Sequence, residues 1–166
     1  METHKLHEEL LRRTVEVLVV GCGGNGSAIV GGLPFLQQAM LALGHPYGLH
    51  VTVMDGDAIS AVNCVRQPFG KGEISLNKAV VLVNRINLFW GLRWTAIPRA
   101  LTPQTLRPEY AGYSERHLQP DIVIGCVDSR AAREVIARSV PGSSLTGYWL
   151  DLGNHSTGGQ FVLASR

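Results

Sequence analysis

Val17-Leu18-Val19-Val20-Gly21-Cys22-Gly23-Gly24-Asn25-Gly26-Ser27 decides how this chain folds. Its apolar run is mostly valine and reads as a strand buried on both faces. The strand passes directly into a glycine turn, and a helix is expected to begin near Ser27. A helix start leaves backbone N–H groups unpaired and carries the positive end of the helix dipole, so the turn suits an anion, most often a phosphate. Gly21, Gly23, Gly24 and Gly26 would let the backbone approach a ligand closely and take conformations that a Cβ forbids. Dinucleotide and ATP sites both use such a turn. A tight strand–helix packing turn without any ligand is the plainer alternative.

Working outward, Ala28, Ile29, Leu33, Leu36, Met40 and Leu43 recur at near-helical spacing over 26–43. Pro34 inside that span predicts a kink or two shorter helices. Gly44-His45-Pro46-Tyr47-Gly48 breaks the pattern, and a second strand over 49–54 ends in Asp55-Gly56-Asp57. A short helical turn at 62–67, a long helix at 76–89 and a strand at 93–98 follow. Residues 101–120 read as loop with at most one helical turn, 121–127 as a buried strand, 129–140 as a helix, and 146–152 and 159–164 as closing strands. Residues 1–14 form a polar arm or short helix, and 15–166 a single domain. Strands alternating with helices predict a doubly wound α/β fold: a mostly parallel, Rossmann-like sheet with helices on both faces.

Composition narrows the function classes. With 45% hydrophobic and 17% charged residues, the 166-residue chain is globular rather than disordered. A net charge of +2, with its basic residues scattered, argues against nucleic acid as the partner. No apolar run reaches membrane-spanning length. Cys22, Cys64 and Cys126 form no CxxC pair and read as buried structural thiols, and the cytoplasm is the expected compartment. The dispersed histidines read as ordinary surface or loop residues.

In a doubly wound sheet, ligands sit beyond the carboxyl ends of the strands. Asp55, at the second strand end, could accept the hydroxyls of a ribose, or simply open the Asp-Gly turn; Asp57 is the weaker candidate. Asn63 and Arg66, three apart on one turn, would share a face from which an amide and a guanidinium could hold phosphate oxygens. If Ser75 caps the next helix, Lys78 is its third residue, where a cation opposes the helix dipole unless an anion lies beside it. Asp128 could hold Mg²⁺ alongside phosphates and water, and could also cap the helix from Ser129. Arg130 and Arg133 read as surface residues.

Taken together, Gly-Cys-Gly-Gly-Asn-Gly-Ser, Met-Asp-Gly-Asp, Asn63 with Arg66-Gln67, Lys78-Ala79 and Cys-Val-Asp-Ser-Arg with Arg133 resemble the ThiF family, the adenylating domain shared with ubiquitin-activating enzymes. Leu150-Asp151-Leu152-Gly153-Asn154 through Gly159-Gln160-Phe161-Val162 is similar to that family's next two strands. Within the family, the look is that of the ThiF-like protein of the plasmid-borne PRTRC cassette. The resemblance implies ATP-dependent adenylation of the C-terminal carboxylate of a small ubiquitin-like or sulfur-carrier-like protein, giving an acyl-adenylate and pyrophosphate. It implies that Gly21, Gly23, Gly24 and Gly26 take the nucleotide and Asp55 the ribose. Asn63, Arg66 and Lys78 would contact phosphates, and Asp128 would serve Mg²⁺. The catalytic set would then be Arg66, Lys78 and Asp128, in a homodimer.

Three features depart from the family. Its N-terminal arginine, supplied across a dimer, has no clear counterpart, since Arg12 and Arg13 lie close to the first strand. The CxxC pairs of many members are missing. The family's sheet continues past the point matching Arg166, so the chain is expected to be truncated at its C-terminus. Two other readings stay open: an NAD(P)-dependent oxidoreductase, because Gly21, Gly23 and Gly26 also satisfy GxGxxG, and a non-catalytic scaffold for a ubiquitin-like partner.

Overall fold

The computed structural model describes residues 5–102, 119–139, 147–154 and 157–165. The strands are β1 (Val15–Val20), β2 (Leu49–Met54), β3 (Thr95–Ile97), β4 (Ile122–Gly125), β5 (Tyr148–Asn154) and β6 (Gly159–Ser165). They form one sheet in the order β3-β2-β1-β4-β5-β6, with every neighbouring pair parallel except β5–β6. This is the doubly wound order, in which the chain reverses its direction of travel across the sheet beside β1. The expected fold class holds.

The helices are α1 (Gly24–Ala42), α2 (Asn63–Arg66), α3 (Lys78–Trp90) and α4 (Arg130–Ser139), with a short 3-10 helix at Glu8–Leu11 in the arm. Helices cover both faces. Val17, Val19, Val51 and Val53 pack with Val30 and Leu33 of α1 and with Leu82 and Ile86 of α3. Leu18, Val20 and Val123 meet Ile136 of α4 on the other face. From Val17 to Val20 both sides of β1 are therefore dry, which is why that stretch is a continuous apolar run instead of an alternation; Glu16, before it, is part-exposed and meets His50.

Several boundaries differ from the sequence expectation. α1 starts at Gly24, with Gly23 as its N-cap, so the glycine turn itself forms the first helical turn. It runs through Pro34 as one 19-residue helix, with Pro34 on its buried face beside Val30, Leu33 and Gln37. β5 extends to Asn154, because Gly153 and Asn154 find partners in Gln160 and Gly159. The loop expected at 101–120 falls largely on residues 103–118, outside the described residues.

Two polar side chains fix the α1–β2 connection, which positions Asp55. Gln37, 6% exposed, accepts the Leu49 N–H through Oε1. His45 Nδ1 accepts the Gly48 N–H at 2.8 Å, so its Nε2 carries the proton and donates to the Leu10 carbonyl at 2.7 Å. His45 is thus a structural loop residue that joins the arm to the domain.

Candidate nucleotide site

The glycine turn is built by backbone crowding on one side and left open on the other. Gly21 takes a positive φ of 95°, and a Cβ on it would lie 2.8 Å from the Cys126 carbonyl oxygen. A Cβ on Gly26 would run into the Gly21 carbonyl oxygen. These two glycines are required by the fold. Nothing lies within 4 Å of a Cβ placed on Gly23 or Gly24, so packing explains neither. Their open side faces outward at the N-terminus of a 19-residue helix.

Asp55 is 9% exposed and locks this turn to β2. Its Oδ2 accepts the Cys22 N–H, and its Oδ1 accepts the Asp57 N–H at 2.7 Å. A carboxylate has further lone pairs, so holding the turn does not prevent it from accepting a ribose hydroxyl. The Cys22 thiol, buried beneath, is pushed well above the usual thiol range by desolvation and by the Asp55 charge.

Lys78 follows from Asp57. The N-cap of α3 is Asn77, whose Oδ1 accepts the Val80 N–H at 3.1 Å, and Ser75 instead sits upstream at φ 77°. Lys78 is therefore the first helical residue, two positions earlier than Ser75 capping would give. Asn77 Nδ2 donates to the Asp55 carbonyl at 2.8 Å, holding α3 against the end of β2. Lys78 is 6% exposed, and its Nζ meets Asp57 Oδ2 at 2.9 Å. The Asp57 side chain is 73% exposed, so it can give way to another anion, whereas leaving the buried Lys78 with no anion at all would be costly.

Asp128 occupies the turn after β4. Cys126 ties that turn to β1 through its N–H and the Val20 carbonyl at 2.8 Å. Ser129, not Asp128, caps α4: its Oγ accepts the Ala132 N–H at 3.2 Å. The Asp128 carboxylate is exposed and no described residue pairs with it. Arg133 departs from the expected surface role, since its Nε contacts Asp151 Oδ2 at 3.1 Å.

The glycine turn, Asp55, Asp57 and Lys78 thus form a bonded chain, and the Asp128 turn abuts it through Cys126. Asn63 and Arg66 lie on α2 and make no bond to that chain among the described residues. Asn63 Oδ1 turns back to the Ser60 N–H and hydroxyl, each at 2.9 Å, so its amide oxygen is engaged within the turn. Arg66 is exposed, with no partner among the described residues. Arg13 is engaged at the opposite end of the sheet, where Nη1 meets Asp121 Oδ2 at 2.7 Å.

A metal could be held here only in part by protein. Among the described residues no three His, Cys, Asp or Glu side chains cluster as ligands. A single free carboxylate suits Mg²⁺ when phosphates and water complete the shell. Asp128 fits that role and no all-protein metal site.

The fold and this arrangement define a Rossmann-like domain with a glycine turn and a helix N-terminus at its switch point. The ThiF family profile matches residues 4–143, and the chain belongs to that family. Among solved structures it is similar to E. coli tRNA N6-threonylcarbamoyladenosine dehydratase, TcdA, at 23% identity and a TM-score of 0.59, over 84% of this chain and 52% of that one. The same protein in complex with ATP matches at 25% identity and TM-score 0.53, over 78% and 48%. PaaA matches at 20% identity and TM-score 0.57, over 90% and 40%. The chain spans about half the length of the TcdA structures. Among curated proteins no relative matches. No described helix is long and apolar enough to cross a membrane.

Proposed function

We propose that this protein binds ATP with Mg²⁺ at the glycine turn and adenylates a carboxylate, the substrate being the C-terminal carboxylate of a small ubiquitin-like or sulfur-carrier-like protein. The carboxylate oxygen attacks the α-phosphorus, the bond to the bridging oxygen breaks, and acyl-adenylate and pyrophosphate leave. Lys78 carries this reading. A cation is buried at the first position of a helix, where the dipole opposes it, and its only described ion-pair partner is an exposed carboxylate. A polyphosphate replacing Asp57 would turn an unfavourable placement into a favourable one. Nicotinamide chemistry gives no use for that lysine or for the free Asp128.

Gly23 and Gly24 would admit the nucleotide, and Asp55 would accept the ribose hydroxyls while it holds the turn. Lys78 and Arg66 would neutralise phosphate charge, with Asn63 adding an amide once it leaves Ser60. Mg²⁺, held by Asp128 and the phosphates, would supply further positive charge. Family membership and the AMP and ATP complexes of TcdA support nucleotide use. TcdA is a tRNA-modifying enzyme by name, which makes a tRNA-borne carboxylate the second reading; the small net charge of +2 weighs against it. We further place the protein in the PRTRC subgroup, as a cytoplasmic homodimer; Arg13, committed to Asp121 in every copy, is not an arginine the partner could lend to the site.

The test is ATP–pyrophosphate exchange with Mg²⁺, run with a candidate ubiquitin-like protein, with tRNA, and with neither. Exchange that requires the protein acceptor and falls at least 100-fold in Lys78→Ala is expected, a loss of about 2.7 kcal/mol of transition-state stabilisation. Exchange unaffected by Lys78→Ala, or tight NAD binding with no exchange, contradicts the proposal. Exchange that requires tRNA instead selects the second reading.

A further inference from the structure

The Arg133–Asp151 pair adjoins the candidate site without belonging to the nucleotide set. Asp128 makes no side-chain bond to any described residue, so its position is set by the backbone around it. In the first turn of α4, which follows Asp128 in the chain, the Ser129 carbonyl accepts the Arg133 N–H at 3.2 Å as an ordinary helical bond. The Arg133 side chain then crosses from α4 to β5, where Nε reaches Asp151 Oδ2 at 3.1 Å and Oδ1 at 3.3 Å. Asp151 is 13% exposed at its side chain, so this is not a freely solvated surface pair.

Two glycines are fitted around it. A Cβ on Gly153 would lie 3.0 Å from Arg133 Nη2, and a Cβ on Gly125 would lie 3.1 Å from Asp151 Oδ1. Gly125 is the register partner of Asp151 and ends the strand that leads into the Asp128 turn. The Arg133 side chain thus ties the start of α4, which follows directly on Asp128, to the neighbouring strand, in a space that larger residues would close.

We propose that Arg133 and Asp151 are positioning residues that hold Asp128 where it can meet a phosphate-bound Mg²⁺. The proposal rests on the reading of Asp128 given above. Loss of the pair frees the first turn of α4, and the Asp128 carboxylate samples positions from which the metal is out of reach. Partners that orient a ligand from behind are typically worth about tenfold or more in metal affinity.

ATP binding measured by calorimetry, in Mg²⁺ and in EDTA, tests this. Asp128→Asn should abolish the gain in affinity that Mg²⁺ brings. Asp151→Asn should reduce that gain about tenfold, leave binding in EDTA unchanged, and add nothing when combined with Asp128→Asn. Arg133→Gln should behave as Asp151→Asn does, and serves in its place if that variant does not fold. An undiminished gain in Asp151→Asn, an equal loss in EDTA, or additive losses in the double variant overturns the positioning role alone. An undiminished gain in Asp128→Asn overturns the metal reading and this inference with it.

Discussion

Cys22 lies within the glycine turn and Cys126 packs against it, and their surroundings disfavour the thiolate that a nucleophile needs. Burial, followed by the Asp151 charge, pushes the Cys126 thiol up to about 12, and burial with the Asp55 charge raises Cys22 as well. Iodoacetamide at pH 8 should therefore label Cys64 in the native protein and spare the other two, as peptide mapping would show; modification of Cys22 or Cys126 at the rate of a free thiol would contradict this. The stability consequence has a definite sign. Below the unfolded thiol pKa of about 8.5, both states keep the proton and nothing is lost. Above it the unfolded chain ionises first, so the urea midpoint should fall from about pH 8.5 toward 12, and less so in Cys126→Ala. At this scale the sequence was readable wherever a residue stood out against its own element. Lys78 was conspicuous as a cation in a first helical turn, although Asn77 rather than Ser75 sets its position. Its pairing with Asp57 was not readable, because it depends on the β2 end folding back over α3. Arg133 was missed for a similar reason: its partner lies on a strand 18 residues later.

The strands were the most legible elements. Val17–Val20 of β1 and most of β4 are dry on both faces, and that condition writes an apolar run into the sequence itself, whereas β2 carries His50 and Thr52 among its apolar residues. Helix starts were less legible, because glycine at 23 and 24 reads as turn while its backbone already serves as N-cap and first helical residue of α1. The join between the arm and the sheet was not legible at all. Asp121 is 1% exposed at the amino end of β4, accepts two guanidinium hydrogen bonds from Arg13 and also accepts the Glu16 N–H at 3.0 Å. The carboxylate in turn raises the Arg13 pKa, chiefly through that hydrogen bonding. Arg13→Ala would take the guanidinium from a buried carboxylate beside β1, which keeps the Glu16 N–H. A loss of about 3 kcal/mol in urea unfolding is expected, the low end for a broken pair because the guanidinium is half exposed. Nucleotide affinity should be unchanged, since this pair lies at the sheet end opposite the glycine turn. A loss of ATP binding in a folded Arg13→Ala would instead give the arm a place in the site.

Across the whole molecule, the order β3-β2-β1-β4-β5-β6 explains why residues far apart in sequence serve one place. Parallel strands bring the ends of β1, β2 and β4 to one edge, and α1, α3 and α4 begin at or close beyond those ends. Asp55, Lys78 and Asp128 are consequences of that topology, and so is the switch point beside β1. The glycine turn lies at its centre with two kinds of glycine in it. Gly26 is required by the protein's own backbone, whereas Gly24 has open space where a side chain would go. Replacing Gly24 therefore separates a ligand site from a packing turn. Calorimetric titration of Mg·ATP into the wild type and Gly24→Ala is the most direct measurement. A ligand site predicts that Gly24→Ala melts at or above the wild-type temperature, as a Gly to Ala change within a helix allows, and binds ATP at least tenfold more weakly. Unchanged ATP affinity in a stable Gly24→Ala, or no ATP binding by the wild type, would contradict it.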